Sequence, residues 1–165
     1  MDQERTRGSL ALVIDDDPEA RRSARALLEA RGYDVVHASN GLAALELIQR
    51  LPESFRLVLT ELDLQGLPGI AVIEALRLFR PDLPVLCLSG RRSAVFAGGC
   101  LEKPLRAGEL DVHLGALQGG MPTRWDAVAP ITDEHAIDRA KARYALGGDL
   151  VEAALELARG IPGDE

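Results

Sequence analysis

The sequence has few aromatic residues, only two cysteines and no long apolar run, and each scarcity excludes a class of protein. Aromatic residues make up 4% of the 165 residues, so we predict an aliphatic core. No apolar run approaches the roughly 20 residues of a membrane-spanning helix, and residues 1–8 lack the apolar part of a signal peptide. Cys87 and Cys100 lack the spacing of a zinc site, and they fit a reducing compartment better than a disulfide framework. We therefore expect a cytoplasmic protein without a membrane segment.

Positive charge is also scarce. The chain has 19 Lys and Arg residues against 26 Asp and Glu residues, which gives a formal net charge of −7. Nonspecific binding to nucleic acid depends on clustered cations that neutralise phosphates, so a nucleic-acid partner is disfavoured. Only Lys103 and Lys141 among the basic residues are lysines. A lysine kept in such an arginine-rich chain suggests a need for a compact ammonium group.

Strand and helix signals alternate through residues 9–118. Short apolar runs are followed by segments of helical periodicity that begin at proline or a capping residue and end at glycine or proline. The predicted strands are Ser9–Ile14, Tyr33–His37, Phe55–Thr60, Pro84–Ser89 and Cys100–Glu102, and helices are predicted from Pro18, from Gly41, over Ile70–Phe79 and over Arg106–Gln118. This alternation predicts an α/β fold, a doubly wound five-stranded parallel sheet with helices on both faces.

A different organisation begins after residue 118. The glycine-rich and proline-containing residues 119–131 are predicted to be a linker, and residues 132–160 are predicted to form a small helical module. Thr132 and Asp149 are the expected capping residues of its two helices. Because two helices bury little surface alone, we expect them to pack on the main domain, on a third helix near Trp125, or on another chain.

Polar side chains gather at one predicted edge of the sheet, where ligands bind outside the carboxyl ends of parallel strands. These side chains are Asp15, Asp16, Asp17, Glu61, Asp63, Ser89 and Lys103. Neighbouring carboxylates repel one another unless a cation lies among them, and oxygen ligands of this kind suit Mg²⁺. A hydroxyl group and an ammonium group at the same edge would complement a phosphoryl group.

Over roughly residues 9–118 the chain resembles the receiver domain of two-component response regulators. The stretches that carry the resemblance are Val13–Pro18, Leu57–Leu64 with Gly66 and Gly69, Pro84–Gly90, and Leu101–Pro104. The resemblance implies a flavodoxin-like fold and a role in phosphorelay signalling. It also implies that the residue ending the third strand accepts a phosphoryl group, which Ser89 and Lys103 then bind. Asp15, Asp16 and Asp63 occupy the implied Mg²⁺ positions.

Three departures from the family pattern accompany the resemblance. The phosphoacceptor position holds Glu61, which is one methylene longer than aspartate, and in-line transfer tolerates little misplacement. Only the ten residues Gly90–Gly99 connect the fourth and fifth strands, so the family's fourth helix is predicted to be shortened. Cys100 stands where the family places its switch aromatic residue. The permanent charge of Glu61 is suited to imitate a phosphorylated aspartate, and Lys103 is expected to pair with Glu61 or with Asp16. One residue of the triplet Asp15–Asp17 is expected to cap the helix that begins at Pro18.

These departures predict an atypical response regulator, a pseudo-receiver that is not an enzyme and acts through protein contacts without phosphorylation. Mg²⁺ binding is expected to be weak or absent. The expected partner is a histidine kinase or a downstream regulator, and a homodimer is a further option. Two alternatives stay open: a phosphorylatable receiver, and a DNA-binding transcriptional regulator with a degenerate helix-turn-helix.

The C-terminal module has two weaker resemblances. Gly147–Ala154 is similar to the start of a Fis-type helix-turn-helix, and Arg139–Leu157 is similar to a ubiquitin-associated-like fold. Against DNA binding, residues 119–165 hold nine acidic and five basic residues, and only Arg159 supplies a positive charge beyond Ala154. A third interpretation is a helical hairpin that packs on the receiver sheet or forms a dimer.

Overall fold

The computed structural model of the chain describes residues 9–90, 100–118 and 133–161. The strands are β1 (Ser9–Ile14), β2 (Tyr33–Ala38), β3 (Phe55–Glu61), β4 (Val85–Ser89) and β5 (Cys100–Glu102). The helices are α1 (Pro18–Glu29), α2 (Gly41–Arg50), α3 (Gly69–Phe79), α4 (Ala107–Gln118), α5 (Glu134–Gly147) and α6 (Leu150–Ala158). The predicted order of strands and helices is confirmed, and β3 extends one residue further than predicted, to Glu61.

The five strands form one parallel sheet in the order β2-β1-β3-β4-β5. The chain moves outward from β1 to β2 and then back across β1 to β3, which is the doubly wound, flavodoxin-like arrangement. A crevice opens where the strand order reverses, at the carboxyl ends of β1 and β3. The predicted fold class is therefore confirmed, and Glu61 is the last residue of one of the two strands that flank the crevice.

Both faces of the sheet are buried, as expected for parallel strands covered by helices. Leu12 and Ile14 of β1 lie in the core on the face covered by α2 and α3, whereas Ala11 and Val13 lie in the core on the opposite face, with α1 and α4. The central strands are nearly continuous apolar runs because helices cover the side chains on both of their faces, whereas Asp34, Arg56 and Glu102 are exposed. This close packing fixes the position of each strand end along the edge of the sheet.

The C-terminal helices begin at side-chain caps. Asp133 caps α5 by accepting hydrogen bonds from the N–H groups of His135 and Ala136, at 3.0 and 3.2 Å. The prediction of Thr132 as this cap was wrong by one residue, because the helix starts at Glu134 and the cap is the residue before it. Asp149 caps α6, as predicted.

The α5–α6 hairpin packs on helices α2 and α3. Four residues of α6 belong to the same apolar core as those two helices: Leu150, Ala153, Ala154 and Leu157. Oε1 of Gln49 in α2 accepts a hydrogen bond of 2.6 Å from the N–H of Leu150, and the rings of Phe79 and Tyr144 stack with centroids 4.1 Å apart. Of the predicted alternatives, packing on the main domain is confirmed, although the contact is with helices and not with the sheet.

Several predicted features lie outside the described residues. They are the linker over 119–131 with Trp125 and the shortened fourth helix within 91–99. In the described ranges, no helix combines the length and the apolar character needed to cross a membrane.

Candidate functional site

Lys103, directly after β5, forms two short ion pairs. Its Nζ lies 2.6 Å from Oδ2 of Asp15 and 2.6 Å from Oε2 of Glu61. The two carboxylates are almost fully buried, with side-chain exposures of 1% and 4%, whereas the lysine side chain is 23% exposed. The ion pair expected between Lys103 and Glu61 is confirmed. The second partner is Asp15 and not the alternative Asp16.

Asp15 is buried because it continues the backbone pairing of β1. Its N–H donates to the carbonyl of Ala38 at 3.1 Å, which keeps the residue in line with the strand and directs its side chain over the sheet edge. Its Oδ1 accepts a hydrogen bond from the N–H of Asp17 at 3.0 Å. Asp16, one residue further on, is exposed. Asp17 caps α1 by accepting the N–H of Glu19, so the capping role considered for one member of the acidic triplet is confirmed.

Glu61 is held in place by the loop of residues 62–68 between β3 and α3. Its Oε1 accepts the N–H of Asp63 at 3.1 Å, and the carbonyl of Leu62 accepts the N–H of Gly69, also at 3.1 Å. A Cβ atom at Gly69 would lie 2.7 Å from the Cα of Leu62, well inside contact distance. Glycine is required here because the start of α3 crosses directly against the end of β3. Asp63 itself is exposed.

Burial and charge act in opposite directions on these titratable groups. Burial raises the pKa of Glu61, with a small contribution from Asp15 in the same direction, and this outweighs the opposing effect of Lys103. For Lys103, burial disfavours the ammonium form, but contacts with Asp15 and Glu61 outweigh it and raise its pKa. The lysine therefore stays protonated wherever the two carboxylates are ionised.

The cluster does not fit a Mg²⁺ ion as it is arranged. Each buried carboxylate directs one oxygen at Lys103 and gives the other to a backbone N–H. The ammonium group thus occupies the position between the carboxylates that a divalent cation would need. Across the part of the chain that the structure describes, no group of three or more His, Cys, Asp or Glu side chains is arranged to hold a metal. Asp16 and Asp63, two of the predicted metal positions, are both exposed at this edge.

Ser89 ends β4 next to the cluster and is buried, with 5% exposure. Its carbonyl accepts the N–H of Lys103 at 3.0 Å. This backbone hydrogen bond links Ser89, which carries the hydroxyl group, to Lys103, which carries the ammonium group. The register of β3 and β4 places Glu61 opposite Leu88, the residue before Ser89. The structure therefore brings together four of the predicted site residues: Asp15, Glu61, Ser89 and Lys103.

The two cysteines form a disulfide, which corrects the prediction of two unpaired thiols. Cys87 and Cys100 face each other in the register of β4 and β5, with Cα atoms 4.6 Å apart. This separation falls in the normal range for a disulfide. Aligning Ser89 with Glu102 at the strand ends pairs Cys87 with Cys100, so the sequence carries a signal for this disulfide. Because the two cysteines are paired, they do not point to a reducing compartment.

Three features together define an α/β receiver-type domain. They are the strand order β2-β1-β3-β4-β5, the acidic residues at the carboxyl ends of β1 and β3, and the lysine after β5. The model of the response regulator receiver domain matches residues 11–114, well over half of the chain. The chain belongs to the response regulator receiver family. It is a signal-transduction domain of the kind found in two-component systems.

Relatives in several organisms carry similar sequences. The chain is 35% identical over 117 residues to the transcriptional regulatory protein CpxR homolog of Haemophilus influenzae, covering 66% of this chain and 50% of that protein. It is 40% identical over 83 residues to the transcriptional regulatory protein KdpE of Mycobacterium tuberculosis, covering 50% and 35%. It is 32% identical over 109 residues to the two-component response regulator-like protein APRR9 of Arabidopsis thaliana, covering 60% and 23%. The chain spans half or less of the length of these relatives.

Solved receiver structures have the same fold. A response regulator receiver protein from Pseudomonas putida aligns with a TM-score of 0.57 and 27% identity, covering 65% of this chain and 95% of that one. A response regulator receiver domain protein from Clostridium thermocellum aligns with a TM-score of 0.56 and 25% identity, covering 68% and 94%. Both solved chains are matched almost completely, so the alignment covers one whole receiver domain.

Proposed function

We propose that this chain is a pseudo-receiver, a non-enzymatic receiver domain that transmits a signal through protein contacts without phosphorylation of the β3 position. The observation that carries the proposal is the ion cluster of Lys103 with Asp15 and Glu61, at 2.6 Å to each carboxylate. In this cluster the acceptor position already bears a charge that the lysine neutralises. The site thus holds a permanent version of the pairing that a phosphorylated receiver makes transiently.

Phosphoryl transfer to Glu61 is disfavoured by geometry and by charge. Its side chain is one methylene longer than aspartate, and its two oxygens are engaged by Asp63 N–H and Lys103 Nζ. An in-line attack requires a free, correctly placed oxygen, and small displacements cost large factors in rate. The cation that would neutralise the incoming phosphate is also occupied, because Lys103 is shared with Asp15. The engaged Glu61 oxygens and the occupied Lys103 are both present before a phosphoryl donor binds.

The proposed partner is another protein, either a histidine kinase or a downstream regulator, with a second copy of this chain as a further candidate. The net charge of −7 disfavours a nucleic-acid partner. Burial of Leu150, Ala153, Ala154 and Leu157 against α2 and α3 supports an internal packing role for α6 over a helix-turn-helix or a ubiquitin-associated-like role. We place the action of the protein in the cytoplasm, where two-component receivers meet their kinases.

A phosphorylatable receiver is the competing function, and the retained Ser89 and Lys103 are the observation in its favour. Incubation with acetyl phosphate and Mg²⁺, followed by intact mass measurement, separates the two. We expect no phosphoryl adduct on the wild-type chain and little on Glu61→Asp, while a receiver with aspartate at this position reacts in parallel. A stable adduct mapped to Glu61 or Asp63 would refute the pseudo-receiver.

Partner binding supplies the second test. A pull-down from the native cell identifies the partner, and its affinity is then measured for the wild type, Glu61→Gln and Glu46→Gln. Glu46 is an exposed residue of α2 and serves as the matched control. We expect Glu61→Gln alone to weaken binding or to shift the signals of residues 90–99. Unchanged affinity and unchanged chemical shifts would show that the charge of Glu61 is not the signal.

A further inference from the structure

The disulfide lies directly beside the ion cluster. Cys87 is two residues before Ser89 in β4, and Cys100 is three residues before Lys103 at the start of β5. The bond joins the two strands at the first pair of their register, Cys87 with Cys100. Two further pairs of residues follow before β5 ends. The disulfide therefore lies at the start of the very short strand β5, and the ion cluster lies just beyond its end.

β5 has few other connections to the sheet. It contains three residues and pairs only with β4, because it is the edge strand. Leu101 is its one fully buried side chain. The position of Lys103 therefore depends on how firmly β5 is fixed to β4. Opening the disulfide removes the only covalent connection between these strands other than the chain itself.

We propose that Cys87 and Cys100 form a reversible thiol–disulfide site whose co-reactant is a low-molecular-weight thiol of the glutathione class, and that the state of this pair sets the position of Lys103. The proposed thiol–disulfide reaction does not depend on whether Glu61 accepts a phosphoryl group. Its use as a signal input rests on the proposed function, since a receiver without phosphorylation needs another input at the same edge of the sheet.

The two cysteine residues differ in exposure, which favours attack at Cys100. Cys87 is 2% exposed, whereas Cys100 is only partly buried. A glutathione thiolate attacks Sγ of Cys100, the protein S–S bond breaks, and the sulfur of Cys87 leaves and takes a proton. A second glutathione thiolate then attacks the mixed disulfide, which releases glutathione disulfide and leaves Cys100 as a thiol. The net reaction consumes two thiols, reduces the protein disulfide by two electrons, and is reversed by glutathione disulfide.

Both the disulfide form and the reduced form of the cysteine pair are compatible with the packing of the surrounding core. In the reduced state, Cys87 becomes a protonated buried thiol, which packs as a small apolar side chain among its neighbours on the α2–α3 face. Cys100 becomes a partly exposed thiol at the strand start. The proposed cytoplasmic location is a reducing compartment, in which disulfides are uncommon and those that form are mostly catalytic or redox-sensing. A pair with one buried and one partly exposed cysteine fits the sensing class.

The test uses the full chain in buffers of varied ratio of glutathione to glutathione disulfide. Samples are quenched with acid, alkylated and weighed intact, so that the fraction of disulfide is read directly. The position of Lys103 is followed by ¹³C labelling of lysine Cε, because the chain has only two lysines and Lys141 serves as the internal control. We expect reversible opening in the folded chain, with both cysteines alkylated together, and a chemical-shift change at Lys103 without one at Lys141.

Cys100→Ser is the main variant, since this position is partly exposed and tolerates a hydroxyl group. Its Lys103 signal should match that of the reduced wild type and should not respond to glutathione. Cys87→Ala provides the second variant if Cys100→Ser folds poorly. Three results would each overturn the proposal: two alkylated thiols in every buffer, reduction only after denaturation, or an open pair with an unmoved Lys103 signal. None of these depends on acetyl phosphate, so failure here is distinct from failure of the pseudo-receiver.

Discussion

Nζ of Lys103 lies 2.6 Å from Oε2 of Glu61, across the gap between the ends of β5 and β3. The strands that carry these residues are not neighbours, because β4 lies between them in the sheet. The contact therefore reports the relative position of three strands at the edge where the family binds its phosphoryl group. Asp15 adds a second carboxylate to the same ammonium group, also at 2.6 Å. Removing any one member changes the charge balance of the other two.

Replacing Glu61 with glutamine should lower the pKa of Lys103. In the wild type, contacts with Asp15 and Glu61 together raise this pKa, and the variant keeps only the contact with Asp15. The stability change should be small, about 1 kcal/mol or less, because removing a buried charge offsets the lost ion pair. The measurement is titration of the ¹³Cε signal of Lys103 in the wild type and in Glu61→Gln. An unchanged midpoint would show that Lys103 is governed by Asp15 alone.

The pH dependence of Glu61 follows from its burial, which raises its pKa above the ordinary 4.5. Because the folded chain holds this proton more tightly than the unfolded chain, ionisation of Glu61 costs folding free energy. The contribution of this group to stability should therefore fall as pH rises from about 4.5 through its folded pKa. The difference in unfolding free energy between the wild type and Glu61→Gln isolates this step, and ¹³Cδ titration of Glu61 locates it. A midpoint at or below 4.5 would contradict the assignment.

Removing the cation should be far more costly than removing one anion. Lys103→Met leaves two buried carboxylates without a counter-ion, and the expected loss is about 2–4 kcal/mol, less than for a fully buried pair because the lysine is 23% exposed. Lys141→Met, at an exposed position of α5, is the matched control and should cost little. Urea unfolding measures both variants.

Mg²⁺ should distinguish the same two lysine variants. In the wild type and in Lys141→Met, calorimetry should detect weak binding or none at millimolar Mg²⁺, because the ammonium group holds the position between the carboxylates. In Lys103→Met, a divalent cation can take that position, so binding should tighten at least tenfold and restore part of the lost stability. Tight binding to the wild type would show that the cluster rearranges readily around a metal.

The sequence was sufficient to predict the sheet, the strand-end acids and the pairing of Lys103 with Glu61, because strand ends in a parallel sheet meet at one edge. It was insufficient to choose Asp15 over Asp16, since that choice depends on whether β1 pairing extends one residue further, as the Asp15–Ala38 hydrogen bond shows. The disulfide was missed for a similar reason. Strand register decides whether two cysteines face each other, and it becomes visible only when β4 and β5 are aligned with each other, not when each strand is taken by itself.

Two glycine substitutions should have opposite effects on stability. Gly69→Ala places a methyl group 2.7 Å from Cα of Leu62, against backbone that cannot move without shifting Glu61, and should cost about 1–3 kcal/mol. Gly115→Ala lies in α4, where no described atom outside the adjacent residues and the helix's own backbone comes within 4 Å of the added Cβ, and should stabilise by about 0.5–1 kcal/mol. Chemical denaturation of the two variants checks both signs. If Gly69→Ala is neutral, the β3–α3 turn is looser than the structure has it.

The hairpin and the receiver should unfold as one unit, because they share an apolar core. Leu157 of α6 is fully buried in the core that includes α2 and α3, so Leu157→Ala should cost about 2–5 kcal/mol. Leu146, near the end of α5, is 86% exposed, and Leu146→Ala should change stability by less than about 0.5 kcal/mol.

Amide hydrogen exchange of β1 and β3 reports the receiver core separately from the hairpin. We expect Leu157→Ala to accelerate exchange in these strands as much as in α6, since opening the hairpin exposes the surface that α2 and α3 bury. Acceleration confined to α5 and α6 would mean that the hairpin detaches alone and that the receiver keeps its stability without it.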